Sequence, residues 1–202
     1  VALFNADDNY LFFHIFRTGG MSLRKVFEGC GDDILGGHVL PRDVKKWFES
    51  KGRIQEWNDA LKFLMVRNPF DWMLSTYFYI VQKPGHNFHK FMQGKSLAEY
   101  LRWYEMKTKE PRVYGVNSYA TLTEFVTDED GQQIVDVVLK FEELPTCVHD
   151  LRKRMGLPRI EFPHVNITQR KKDYRDYYDD ESRALLERIF AEDLERFGYK
   201  FE

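Results

Sequence analysis

The stretch "HIFRTGGMSL", residues 14–23, sets an arginine, a threonine, two glycines and a serine between an apolar run and a helical pattern. Glycines at a strand-to-helix turn let the backbone bend tightly and come close to a ligand. The N–H groups opening the next helix, with its dipole, favour an anion there. Arg17, Thr18, Gly19, Gly20, Met21 and Ser22 therefore read as a cradle for phosphate or sulfate. A second basic junction, "VRNPFDWMLSTYF", places Arg67 at the end of an apolar run and Ser75 eight residues later on a predicted helix. In an open parallel sheet, ligands gather at the carboxyl ends of the strands. The two junctions thus predict one ligand with two separated anionic groups. Taken singly, each residue also suits a structural role: Arg67 as a salt-bridged strand-end arginine, Ser75 as a hydroxyl bonded back to its own helical turn, the glycines as a plain turn. The pairing of the junctions favours the ligand.

Strands and helices must hold these residues in place. The runs "YLFFHIF", "ALKFLMVRN" and "IVDVVLKFEEL" are continuous and apolar, as strands buried on both faces require. Helices are predicted after the first glycine turn, over "PRDVKKWFES", from Pro69 through "FDWMLSTYFYIVQ", over "SLAEYLRWYEMK", "NSYATLTEFV" and "TCVHDLRKRMGL", and as one last helix around "ESRALLERIFAEDLERF". Strands alternating with helices predict an α/β fold with a central, mostly parallel sheet flanked by helices. With 202 residues, no repeat and no dividing linker, residues 1–202 read as a single domain.

The net charge of −2 excludes a broad basic field for nucleic acid or an anionic membrane, so an anion site must be built from a few placed cations. No apolar stretch reaches the ~18 residues of a membrane span, and the opening "VALFNADDNY" is no signal peptide. A complete chain is expected in the cytoplasm; a chain whose N-terminal anchor has been removed would suit the Golgi lumen. Cys30 and Cys147 have no metal-ligand spacing and read as buried free thiols. His86 and His89 lack further ligands nearby, so no metal is expected. Nothing in the sequence sets an oligomeric state.

"HIFRTGGMSL" resembles the 5′-phosphosulfate loop of sulfotransferases, whose usual form is Pro-Lys-Thr-Gly-Gly-Thr-Ser, and "VRNPFDWMLSTY" resembles their 3′-phosphate motif. "VLKFEEL" and the ending "HVNITQRKKDYRDYYDDE…FAEDLERFGYKF" resemble the carbohydrate-type members. The resemblance implies the P-loop-like sulfotransferase fold, with 3′-phosphoadenosine 5′-phosphosulfate (PAPS) as donor, adenosine 3′,5′-bisphosphate (PAP) as product and a hydroxyl acceptor, a carbohydrate above all. It implies backbone N–H groups of Gly19, Gly20, Met21 and Ser22 on the phosphosulfate, and Asn166, Thr168 and Arg170 as nucleotide contacts. The sequence departs from the pattern at Phe16 for proline, Arg17 for lysine and Met21 for threonine. Arginine keeps the charge but holds its proton at neutral pH, so Arg17 would stabilise the leaving phosphate by charge alone.

Removing a proton from an alcohol calls for a base, and histidine titrates in the right range. Family members carry a catalytic histidine in a Gly-His segment between the two motifs, and the resemblance therefore points to His38 in "GGHVLPRD". Its alternative is a bystander loop histidine. His14 is expected to be packed or hydrogen-bonded at a strand end. Two rival functions stay open. A nucleotide kinase would need G-x-x-x-x-G-K-[ST], and the first loop has no lysine after its glycines. A nucleotide- or glycan-binding module without turnover is kept in play by Arg17.

Overall fold

A computed structural model describes residues 2–27, 31–111, 119–161 and 173–202. In chain order the described elements are β1 (Ala2–Asn5), β2 (Tyr10–Phe13), α1 (Gly20–Val26), β3 (Asp32–Ile34), α2 (Pro41–Ser50), α3 (Ile54–Asp59), β4 (Leu61–Val66), α4 (Pro69–Gln82), α5 (His89–Met92), α6 (Leu97–Thr108), β5 (Val137–Lys140), α7 (Thr146–Arg154), α8 (Asp180–Ile189) and α9 (Ala191–Phe197). They form two compact units, Val1–Val66 with Arg112–Asn166, and Arg67–Pro111 with Ile167–Glu202.

The first unit holds a five-stranded sheet in the order β3-β1-β2-β4-β5. β2, β4 and β5 are parallel, while β1 runs antiparallel to both β2 and β3, so four of the five strands point the same way. The sheet is thus mostly parallel, as expected, with antiparallel pairing at one side. The β1–β2 hairpin closes through Asn5, whose side chain accepts from the Asp8 N–H at 2.8 Å and donates to the Asp8 carboxylate at 3.0 Å.

Period-2 alternation sends neighbouring residues of a strand to opposite faces. Leu3, Tyr10, Phe12, Phe63, Met65 and Leu139 meet Leu23, Val26 and Phe27 of α1 and the residue after it, with Val148 and Leu151 of α7. On the other face Phe4 packs edge-on to Phe48 of α2 at 5.2 Å, and Phe13 lies 6.1 Å from Trp57 of α3. Both faces are covered, which is why "YLFF" and "LKFLMV" read as unbroken apolar runs. Lys62 is the polar exception: its Nζ donates to the carbonyls of Ala60 at 2.6 Å and Trp57 at 3.1 Å, and pairs with Asp136 at 3.2 Å.

The second unit is helical. Asn68 caps α4 by accepting from the Phe70 N–H at 3.1 Å, and Pro69 takes the first helical position. Ser96 with Glu99, and Asp179 with Ser182, form capping boxes that start α6 and α8. Trp72, Tyr104 and Phe190 form one aromatic core, and Phe70 forms another with Tyr174, Tyr178 and Phe201.

Several element expectations shift. β1, β3 and the short α3 and α5 add to the elements that the periodicity predicts. β2 stops at Phe13, because residues 14–19 turn away toward α1. The single last helix is two, broken at Phe190 where φ −112° and ψ 26° leave the helical region. In the predicted helix 117–126, residues 117 and 118 lie outside the described residues. The rest makes one tight turn, with N–H groups of Phe125, Val126 and Thr127 bonded to carbonyls of Leu122 and Thr123.

Arg152 of α7 fastens α1 from behind. Its guanidinium donates to the Val26 carbonyl at 3.0 Å and the Pro158 carbonyl at 2.8 Å, and lies over the Phe27 ring at 5.4 Å. Arg152→Met keeps apolar volume but removes both charge-assisted bonds, and is expected to cost about 2–4 kcal/mol of stability. Urea denaturation measures it; an unchanged midpoint would contradict the anchoring role.

Candidate functional site

β2 and β4 run parallel with Phe13 opposite Leu64, so their carboxyl ends lie at one edge of the sheet. The chain leaves β2 at His14 and turns into α1 through residues 14–19. Two residues of this turn are left-handed, Arg17 at φ 63° and Gly19 at φ 85°. Such a φ is natural for glycine and strained for arginine by about 1–2 kcal/mol. Thr18 is buried, and its hydroxyl donates to the Ile15 carbonyl at 3.0 Å, locking the turn. The N–H groups of Ser22 and Leu23 donate to the Gly19 carbonyl at 3.0 and 3.1 Å. The first turn of α1 itself holds no acidic residue. Met21 stands exposed at this end.

Both glycines are required by what surrounds them. A Cβ on Gly19 would sit 2.9 Å from the Phe141 ring, and one on Gly20 would fall 1.9 Å from Cδ2 of His14. Phe141 follows β5 directly, which gives the "VLKFEEL" stretch a place: it closes one side of the glycine turn.

His38 lies on the loop between β3 and α2, with Leu35 and Gly37 at positive φ. Its Nδ1 is 3.0 Å from the His14 carbonyl oxygen. A carbonyl only accepts, so Nδ1 carries the hydrogen and Nε2 holds the lone pair. The ring is half-buried, edge-on to the His14 ring at 5.1 Å and 5.2 Å from Phe16. Burial lowers its pKa below the ordinary 6.5, partly countered by the bond to His14. The His14 pKa is lowered to about 3, chiefly by burial and then by His38 and Arg24. Both imidazoles are therefore neutral at neutral pH.

In the second unit Arg67 is buried, and its Nε donates to Asp71 Oδ2 at 2.7 Å while Nη2 pairs with the same oxygen. Asp71 and the buried Ser75, four residues apart, share one side of α4, and Arg67 stands just before the Asn68 cap of that helix. The salt-bridged arginine and the anion-binding arginine are thus not exclusive alternatives, since a guanidinium has five N–H donors. The sequence did not single out Asp71 or Phe141, nor assign His14 its place against Gly20. An acid four residues after Arg67 was the available signal for Asp71.

The structure gathers Arg17, Thr18, Gly19, Gly20, Met21, Ser22 and His38 in the first unit, and Arg67 with Ser75 in the second. Asn166, Thr168 and Arg170 lie outside the described residues, as do Cys30 and His164. Among the described residues, no group of three or more His, Cys, Asp or Glu side chains could hold a metal ion, and no helix is long and apolar enough to cross a membrane.

Among known proteins, no curated protein and no solved structure matches the chain. A family model described as "Sulfotransferase family" matches residues 2–200, taking in the glycine turn, the His38 loop and the Arg67–Ser75 junction together. With the strand–glycine turn–helix at the edge of a mostly parallel sheet, that match identifies the chain as a member of the sulfotransferase family.

Proposed function

We propose that this sulfotransferase moves a sulfuryl group from PAPS to a hydroxyl acceptor, a carbohydrate by its resemblance to the carbohydrate-type members, with His38 as base, in one domain spanning residues 1–202. The observation that carries the reading is the His38 tautomer: Nδ1–H is held by the His14 carbonyl beside the glycine turn, and Nε2 keeps its lone pair. A base needs that lone pair and a neutral ring at working pH, and burial favours both.

By residue type, each unit offers groups suited to one end of the donor. The turn of Gly19 and Gly20 admits no side chain, which suits backbone N–H groups of Gly19, Gly20 and Met21 meeting a phosphosulfate, while the expected Ser22 N–H is already given to the Gly19 carbonyl. Arg67 and Ser75 supply a guanidinium and a hydroxyl for the 3′-phosphate. Asn166, Thr168 and Arg170 complete the nucleotide contacts by sequence resemblance. The donor supplies a sulfuryl group on a phosphate leaving group. Arg17 stabilises the charge left on that phosphate, and His38 Nε2 takes the acceptor's hydroxyl proton as the new O–S bond forms.

PAP is expected to bind by isothermal titration and ATP far more weakly. Arg67→Ala should cost about 2–4 kcal/mol of PAP binding, as for a lost charged partner. Equal affinity of variant and parent would remove the 3′-phosphate assignment.

Arg17→Lys is expected to keep turnover, whereas Arg17→Ala should lower kcat by about two to three orders of magnitude, the scale of one transition-state donor. Retained kcat in Arg17→Ala would end its role as charge stabiliser.

His38→Ala should lower kcat by a similar factor and leave PAP affinity intact. The neutral ring is the active form and its pKa lies below 6.5, so the rate should hold through neutral pH and fall only as pH drops through that lowered value. The acid limb should vanish in His38→Ala; an unchanged profile would assign the proton to another group.

A further inference from the structure

Resting on the reading of His38 as the base, we propose that the His14 imidazole is a positioning residue whose flat ring sets His38 and the Gly19–Gly20 turn against each other as one block. Three contacts support this. The ring fills the space where a Gly20 side chain would be, with Cδ2 1.9 Å and Nε2 2.4 Å from the site of a Cβ. Its plane meets His38 edge-on at 5.1 Å and 80°. Behind it lies Phe12 at 6.3 Å and 19°, which stacks in turn on Phe63 of β4 at 5.4 Å and 25°. The ring is thus the outermost member of an aromatic column that begins in the strand core and ends between the turn and the base.

The backbone of His14 adds a second hold, since its carbonyl fixes the His38 tautomer. The side chain and main chain of one residue therefore determine where the proton acceptor stands and which nitrogen it offers. Besides the chain's amino terminus, the charged groups acting on the pair among the described residues are few. Arg24 of α1 faces His14 and is tied to Asp33 of β3 at 2.7 Å, and the two histidines act on each other. Any charge on His14 would repel a proton on His38, so the neutral form of His14 lets it act through shape. His14 touches neither donor nor acceptor in this account; it acts through Gly20 and His38.

The test follows the His38 Hε1 resonance by NMR across pH in the parent, His14→Ala and His14→Phe. With its cover removed, His38 in His14→Ala is expected to titrate closer to 6.5, upward by about half a pH unit or more, as desolvation is relieved. His14→Phe restores a flat ring and should titrate like the parent. An unchanged midpoint in folded His14→Ala, or a His14→Phe midpoint displaced as far as that of His14→Ala, would overturn the proposal. If His14→Ala shows no cooperative thermal transition, His14→Leu takes its place under the same two outcomes. In the transfer assay, kcat should fall about tenfold in His14→Ala at constant acceptor KM and return in His14→Phe, the split expected when orientation is lost and binding kept. The titration needs neither donor nor acceptor, so absence of sulfuryl transfer would overturn the functional reading alone.

Discussion

A methyl group at position 20 would lie 1.9 Å from the His14 ring, and one at position 19 would lie 2.9 Å from Phe141. The turn between β2 and α1 is therefore shaped from both sides by flat side chains, and it holds only because neither residue carries a Cβ. Each flat side chain is itself fixed by the sheet. His14 follows β2 and stacks on Phe12, while Phe141 follows β5. Parallel pairing of β2, β4 and β5 brings the carboxyl ends of these strands to one edge. The shape of the turn is thus a consequence of sheet register: a slip of one residue would send Phe12 to the opposite face and remove the support beneath His14.

Charge is placed sparingly around this frame. With a net charge of −2 the protein has no general attraction for anions, so the proposed donor site depends on individually placed cations such as Arg17 and Arg67. Arg67 is buried, and a buried cation without a partner is costly. Asp71 supplies that partner and holds the guanidinium by two contacts to one carboxylate oxygen. The pairing holds the Arg67 guanidinium in one orientation. Arg17 differs in kind: its strain at φ 63° is fixed by a turn that Thr18 locks through the Ile15 carbonyl.

Much of this was legible in the residues. The apolar runs gave three of the strands because both faces of the sheet are covered, and "RTGG" and "RNP" marked the two junctions through backbone requirements and charge. The family expectation and the mostly parallel sheet agree with the match over residues 2–200 and with the strand order. β1 and β3 carry weak sequence signals, β1 being four residues long and β3 only the three residues "DDI", whose acids are exposed. The polar "ADDN" between "VALFN" and "YLFF" was the hairpin signal. The packing of His14 on Gly20 had no sequence signal. A histidine six residues before a glycine has no periodic meaning until the turn folds back.

The most direct measurement of the central claim is mass spectrometry of hydroxyl acceptors, carbohydrates first, incubated with the protein and either PAPS or ATP. The account predicts an acceptor heavier by one SO₃, with PAP released, in the PAPS reaction and loss of that product with His38→Ala. No modified acceptor with PAPS, or a phosphorylated one with ATP, would contradict it.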